Sequence, residues 1–211
     1  MHEPEPLCLS IQCGDVLYEK RHYEKAHWAC ITVHEDTYKQ SICYGFMKLM
    51  RCICQQNSSG ESKAAFTVVI ECLFFERHPC LATSTADSWL FMSCPYLGMT
   101  IPILTVIRTD ENHSVLSSDV TVAYYLPTEY QALPPKPSDT EISIEEWPAT
   151  IVYTRAFTGA KNEVTIINEI RTMAEVLDSP AICVNGSFIV AGYKHPAAVN
   201  RQNEIWFLEQ P

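Results

Sequence analysis

Residues 141–180, "EISIEEWPATIVYTRAFTGAKNEVTIINEIRTMAEVLDSP", change hydrophobic period part-way along, and that change sets the expected fold. "EISIEEW" and "TIVYTRAF" alternate apolar and polar residues as half-buried strands do, with Pro148 in the bend between them. They are expected to pair with each other. Further on the period becomes helical. Ile166, Ile170, Met173 and Leu177 recur at four, three and four residues, which places them on one helix face. Asn162 is positioned to cap this helix, and Asp178–Pro180 to end it.

The first half repeats the order with little residue identity. "VLYEKRHY" and "AHWACITV" alternate around a turn expected at Glu24–Lys25, again as a paired hairpin. Ile42, Phe46, Leu49 and Ile53 then recur at four, three and four residues, with Asp36 as the expected cap and "QQNSSG" as the stop. Further strands are expected in "MTIPILTVIR" and "VTVAYYLP" after the first helix, and in "SFIVAGY" and "NEIWFLE" after the second. Strand–strand–helix–strand–strand therefore occurs twice. Apolar-faced helices bury against a sheet, and two such halves can merge into one curved or barrel-like sheet with fewer exposed edges. Between them, "PTEYQALPPKPSD" at 127–139 reads as an extended, proline-stiffened connector.

Composition narrows the function classes. The chain has 211 residues, 47% of them hydrophobic and 19% charged, so it has the makings of a sizeable core. A formal net charge of -10 without clustered Lys or Arg argues against nucleic acid as a partner. The longest apolar stretch is interrupted by Glu71 and ends at Arg77, too short for a transmembrane segment. The acidic, proline-bearing N-terminus lacks the form of a signal peptide, and a cytoplasmic location is the working expectation. Of the ten cysteines, Cys52 and Cys54 form a C-x-C without histidine at zinc spacing, so buried or incidental thiols are expected. No nucleophile elbow, H-E-x-x-H or phosphate loop orders the Ser, His and Asp residues, and the protein is not expected to be an enzyme. Glu145 and Glu146 alternate across a strand and so do not face each other as an acid/base pair.

Several segments together resemble the SOUL/heme-binding-protein family: "YEKRHYEKAHWA", "YGFMKLM", "GMTIP", "YYLPTEYQALPPKPSD", "VYTRAFTG", "AGY" and "RQNEIW". The resemblance covers roughly residues 15–61 and 97–209. It implies an α+β fold: a distorted β-barrel of two pseudo-symmetric strand–strand–helix–strand–strand halves with two outer helices. It implies a single domain over 15–211 behind a flexible N-terminus at 1–14. Residues 62–96 have no counterpart in the resemblance; they are either a lineage-specific insertion or a gene-model artefact of translated non-coding sequence.

The resemblance implies non-covalent, reversible binding of heme or another tetrapyrrole, for buffering or carriage. Its alternative is a protein-interaction module, with mitochondrial or apoptosis-related partners in cell-death or permeability control. Exposed Ile167 and Ala174 on the second helix would favour that alternative. "YEKRHY" matches the segment in which SOUL-type members carry a proposed axial histidine, and it matches at His22. Imidazole suits iron when one ring nitrogen is free and a hydrogen bond holds the other. The plainer alternative is a strand-surface histidine. His27 and His34 match no ligand position and are expected to be exposed or locally hydrogen-bonded; His195 is a weaker candidate still.

A porphyrin also needs an apolar platform with cations for its propionates. The first helix offers Phe46, Met47, Leu49, Met50 and Ile53, with Lys48 and Arg51 on its rim; core filling is the alternative for the apolar five. In "RQNEIW", Arg201 is expected to pair with Glu204 or a neighbouring carboxylate, and Trp206 to pack inward.

Overall fold

The computed structural model describes residues 18–54, 101–137, 139–177, 186–193 and 202–209. The first half provides strands β1 (Glu19–Tyr23) and β2 (Ala26–His34), helix α1 (Tyr38–Cys54), β3 (Ile103–Arg108) and β4 (Asp119–Tyr125). The second half provides β5 (Ile142–Trp147), β6 (Thr150–Thr158), α2 (Glu163–Leu177), β7 (Ser187–Gly192) and β8 (Gln202–Leu208). The element order is the one the sequence periods imply. The segment 62–96 and the N-terminal 1–14 lie outside the described residues.

The pairing differs from the expectation. All eight strands form one antiparallel sheet in the order β1-β6-β8-β7-β3-β4-β2-β5. Neither expected hairpin forms: β1 pairs with β6 across the halves, and β5 pairs with β2. The links explain why. A two-residue hairpin turn needs positive φ, which Gly and Asn supply readily. Here the links are Glu24–Lys25 and Pro148–Ala149; positive φ occurs among the described residues only at His113, Gly159 and Gly186. Pro148 is locked at negative φ by its ring.

This exchange curls the sheet. Five strands separate β1 from β2, so a flat sheet would hold them about 29 Å apart at six spacings of about 4.8 Å. Tyr23 and Ala26 are three Cα steps apart, a reach of about 11 Å at most. The same holds for Trp147 and Thr150 between β5 and β6. Both ends of the sheet must therefore approach each other. The result is a curled, half-open sheet, since β1 and β5 are not paired with each other among the described residues.

Its outer face carries the helices, α1 against β2 and β4, α2 against β6 and β8. Phe46, Leu49 and Met50 of α1, and Ile166, Ile170 and Met173 of α2, are buried as the helical spacing requires. Asn162 Oδ1 accepts from Thr165 N at 2.8 Å, the cap anticipated for α2. The cap of α1 is Thr37 instead of Asp36: Thr37 Oγ1 accepts from Gln40 N at 3.3 Å and donates to Gln40 Oε1 at 2.8 Å.

Gly45 lets α1 approach the sheet closely. A Cβ there would lie 2.8 Å from Val122 Cγ2 and 3.2 Å from Val33 Cγ2. In an open helix, Gly→Ala gains up to about 1 kcal/mol of propensity. Here overpacking against two stiff valines costs about 1–3 kcal/mol. Gly45→Ala is therefore expected to lower the urea midpoint, and Gly45→Val to lower it further; a rise for Gly45→Ala would show that α1 has room to shift outward.

Candidate functional site

On a strand, residues two apart share a face. Glu145 and Trp147 of β5 form one such pair, Glu204 and Trp206 of β8 another, and both pairs point into the curl. Each carboxylate accepts the indole N–H of its own tryptophan: Trp147 Nε1 donates to Glu145 Oε2 at 3.2 Å, and Trp206 Nε1 to Glu204 Oε2 at 2.8 Å. The rings are held from behind, leaving their faces for other aromatics. Trp147 stacks on Trp28 at 5.1 Å between centroids, and Trp28 meets Tyr125 edge-on at 5.3 Å. Tyr23 stacks on Trp206 at 4.8 Å. These contacts are the offset and edge geometries that aromatic quadrupoles favour.

A cavity of about 160 Å³ opens among these rings, floored by Leu104, Val152 and Ile189. Both interstrand links border it, the first through Glu24 and Lys25, the second through Pro148. The feature that curls the sheet thus also builds the rim of its cavity.

Behind Trp206 lies a buried ion pair. Arg21 shares the inner face of β1 with Tyr23 and reaches over β6 to β8. Its Nη1 donates to Glu204 Oε2 at 2.9 Å and its Nη2 to Glu204 Oε1 at 3.0 Å. Tyr193 Oη donates to Glu204 Oε2 at 2.8 Å, and Glu19 receives the other side of the guanidinium. Burial lowers the Arg21 pKa, but its hydrogen bonds to Glu204 and Glu19 more than offset it, so the group stays charged. Burial, reinforced by nearby Tyr23 and Glu204, pushes the Tyr193 hydroxyl up, keeping its proton available to donate. The sequence analysis looked to Arg201 as the partner of Glu204, but Arg201 lies outside the described residues and the observed cation is Arg21. Trp206 packs inward as expected, at 3% exposure.

The residues singled out from sequence stand elsewhere. His22 faces away from the cavity, on the side of β1 opposite Arg21 and Tyr23, opposite Ile151 in register. Its side chain is 37% exposed, with Nδ1 at 3.5 Å from Glu24 Oε1. Phe46, Leu49 and Met50 are 8%, 2% and 4% exposed, so they present little surface to a ligand. Met47 is half-buried and Arg51 exposed. Lys48 Nζ is engaged by Glu141 at 2.7 Å and Asp139 at 3.3 Å. Of Ile53 only the helical backbone is described, and His195 lies outside the described residues. His27 is near Glu146 at 3.7 Å, and His34 Nδ1 sits 2.6 Å from Asp119 Oδ1, both local contacts. None of His22, Phe46, Met47, Lys48, Leu49, Met50 or Arg51 lines the aromatic cavity. Two of the residues that do, Trp147 and Trp206, have a sequence signal in the recurring Glu-x-Trp of two alternating strands.

The family model described as SOUL heme-binding protein matches residues 4–208. The chain belongs to the SOUL heme-binding family. Relatives include Heme-binding protein 2 of Mus musculus, 25% identical over 195 residues, covering 92% of this chain and 78% of that protein. Heme-binding protein 1 of Sus scrofa is 31% identical over 114 residues, 54% of this chain; the match spans only 60% of the pig protein's length. Among solved structures, the EcmrR C-terminal domain matches with a TM-score of 0.50 at 12% identity, over 92% of this chain and 96% of that one. At that identity the likeness is one of fold.

The buried pair yields a stability prediction. Removing one partner of a buried, hydrogen-bonded ion pair costs about 3–5 kcal/mol, because a charge is left uncompensated. Arg21→Met should therefore destabilise this SOUL-family chain by about that amount in urea unfolding, and adding Glu204→Gln should recover much of the loss. Equal stability of the single and double variants would mean that Glu204 finds another cation.

Proposed function

We propose that this chain binds heme or a related tetrapyrrole non-covalently and reversibly, for buffering or carriage. Family membership and the names of its relatives support the ligand class. The observation that carries the reading to this chain is the setting of His22. Its imidazole is accessible, Glu24 lies beside Nδ1, and among the described residues no hydrogen bond engages Nε2. A carboxylate at one ring nitrogen favours the tautomer whose other nitrogen carries the free lone pair. A bound heme would supply an iron centre able to accept that lone pair.

The fit of the other candidates is uneven. Arg51 is exposed and Met47 half-buried, so both are available at a porphyrin's edge. Lys48 would first have to leave Asp139 and Glu141. Phe46, Leu49 and Met50 are committed to the core beneath α1, and they support a platform without forming its surface. The inner cavity is too small for a macrocycle, being close to the roughly 150 Å³ that houses a single benzene ring. Tetrapyrrole binding on the outer side of β1 is therefore the arrangement we favour. We further take the two halves to be pseudo-symmetric units of one distorted barrel-like domain that binds its ligand without catalysing a reaction, in the cytoplasm.

The interaction-module alternative looks to exposed apolar residues on α2. Ile167 and Ala174 are partly buried and pack on the core, so that alternative gains no support from them.

Hemin titration tests the assignment. His22→Ala is expected to move the Soret band and the low-spin/high-spin balance while leaving iron-free protoporphyrin binding nearly unchanged. Glu24→Gln should give a smaller change in the same direction. A folded H22A protein with an unaltered heme spectrum and affinity would remove His22 as ligand, and no porphyrin binding by the unmodified chain would remove the function.

A further inference from the structure

We propose that the aromatic cavity inside the curled sheet is a second binding site, for a flat molecule of one or two fused aromatic rings that carries no negative charge. It is separate from the tetrapyrrole site, because the side chains of β1 that line or back it point away from His22. The proposal does not depend on tetrapyrrole binding.

Shape sets the size of the ligand. The cavity measures about 160 Å³, and a dry apolar cavity of roughly 150 Å³ is enough to house one benzene ring. Lys25 and Pro148 border it and are exposed, so a second fused ring can extend toward them. The walls set the flatness. Trp28 and Trp147 stack on one side at 5.1 Å, and Tyr23 and Trp206 on the other at 4.8 Å, so the lining consists largely of ring faces and edges. A planar guest recovers the stacking and edge contacts that such walls offer, at little cost in its own conformational freedom.

Chemistry sets the charge. Most polar atoms of the lining rings are already engaged within the protein, Trp28 Nε1 being the exception among the described residues. The Trp147 and Trp206 N–H groups are given to Glu145 and Glu204. Arg21 and Tyr193 lie beside the Tyr23 hydroxyl, and Thr128 lies beside that of Tyr125. Glu204 is in turn neutralised by Arg21. At the rim, Lys25 pairs with Glu146 and Glu24 lies beside His22. An anionic guest would lose its hydration and meet ring faces and carboxylates, whereas an uncharged ring system gives up little on entering. Aromatic faces backed by Glu204 and bordered by Glu24 thus select against anions, while a cation keeps an attraction to the ring faces.

Quinoline, uncharged at neutral pH, is the probe; N-methylquinolinium and a quinoline carboxylate are its charged counterparts. On the unmodified protein, quinoline is expected to quench or shift tryptophan fluorescence and to move the indole N–H resonances of Trp28, Trp147 and Trp206 in a saturable titration. The carboxylate should bind roughly tenfold more weakly or worse, a difference of about 1.4 kcal/mol, whereas N-methylquinolinium should not. Ala26→Phe and Thr150→Phe place a ring into the cavity from two different strands, and each should weaken quinoline by roughly tenfold or more. Val164→Ser, on the exposed face of α2, should leave it unchanged. Hemin should titrate the quinoline-loaded protein as it does the free protein. The proposal is overturned if quinoline fails to perturb the three indoles, if the carboxylate binds as tightly as quinoline, or if binding survives in both filled variants. It is equally overturned if heme and quinoline exclude each other.

Discussion

Two links of two residues each, Glu24–Lys25 and Pro148–Ala149, constrain everything else in this molecule. Each joins strands that lie six positions apart in the sheet. The covalent chain is about 18 Å too short to do so across a flat sheet. Curling is thus imposed by connectivity, and the natural twist of β-strands only has to accommodate it. The exchange also places β1 beside β6 and β5 beside β2, so each half contributes the other's edge strand. Neither half completes its own sheet, and the eight strands form one.

An edge strand of five residues with pairing on one side is intrinsically weak. Here β1 is held by a second tie. Arg21 crosses β6 to grip Glu204 with two hydrogen bonds, and Lys20 on the opposite face reaches Glu209 at 3.3 Å and lies over the Tyr153 ring at 5.1 Å. The Lys20–Glu209 pair is about a third exposed on both sides and contributes little, at most about 1 kcal/mol. The Arg21–Glu204 pair is different in kind, because Glu204 has Tyr193 and Trp206 as additional donors and is almost excluded from water. Specificity is its plausible contribution: β1 in any other register would leave that carboxylate buried without its cation.

Much of the fold was legible in the sequence because it is written in local periods. Ile166, Ile170 and Met173 announced a buried helix face, and the alternation of "TIVYTRAF" announced a half-buried strand. Strand pairing was not legible, since nothing local in "RHYEKAH" says that Tyr23 faces Thr150 instead of turning back onto β2. The absence of Gly or Asn in both links was the available clue. The candidate site divided along the same line. The family segment brought attention to His22, whose accessibility could be seen only in three dimensions. The aromatic cavity escaped notice because Tyr23, Trp28, Tyr125, Trp147 and Trp206 come from five strands and meet only after the exchange. On α1, helical spacing distinguished buried from exposed positions but gave no means of telling a ligand platform from a core.

Alternation on a single short strand now connects the two halves of the chemistry. Along β1, Arg21 and Tyr23 point inward to Glu204 and Trp206, and His22 between them points outward. A slip of one residue would exchange these roles, sending the imidazole toward the tryptophans and the guanidinium into solvent. The Arg21–Glu204 pair therefore does more than hold an edge strand in place. By fixing the register of β1, it fixes which side of the sheet carries the accessible histidine and which side carries the aromatic wall. Glu24, the first residue of the link, stands where those sides meet, beside His22 Nδ1 and on the rim of the cavity at once. The link is thus a structural element shared by both faces.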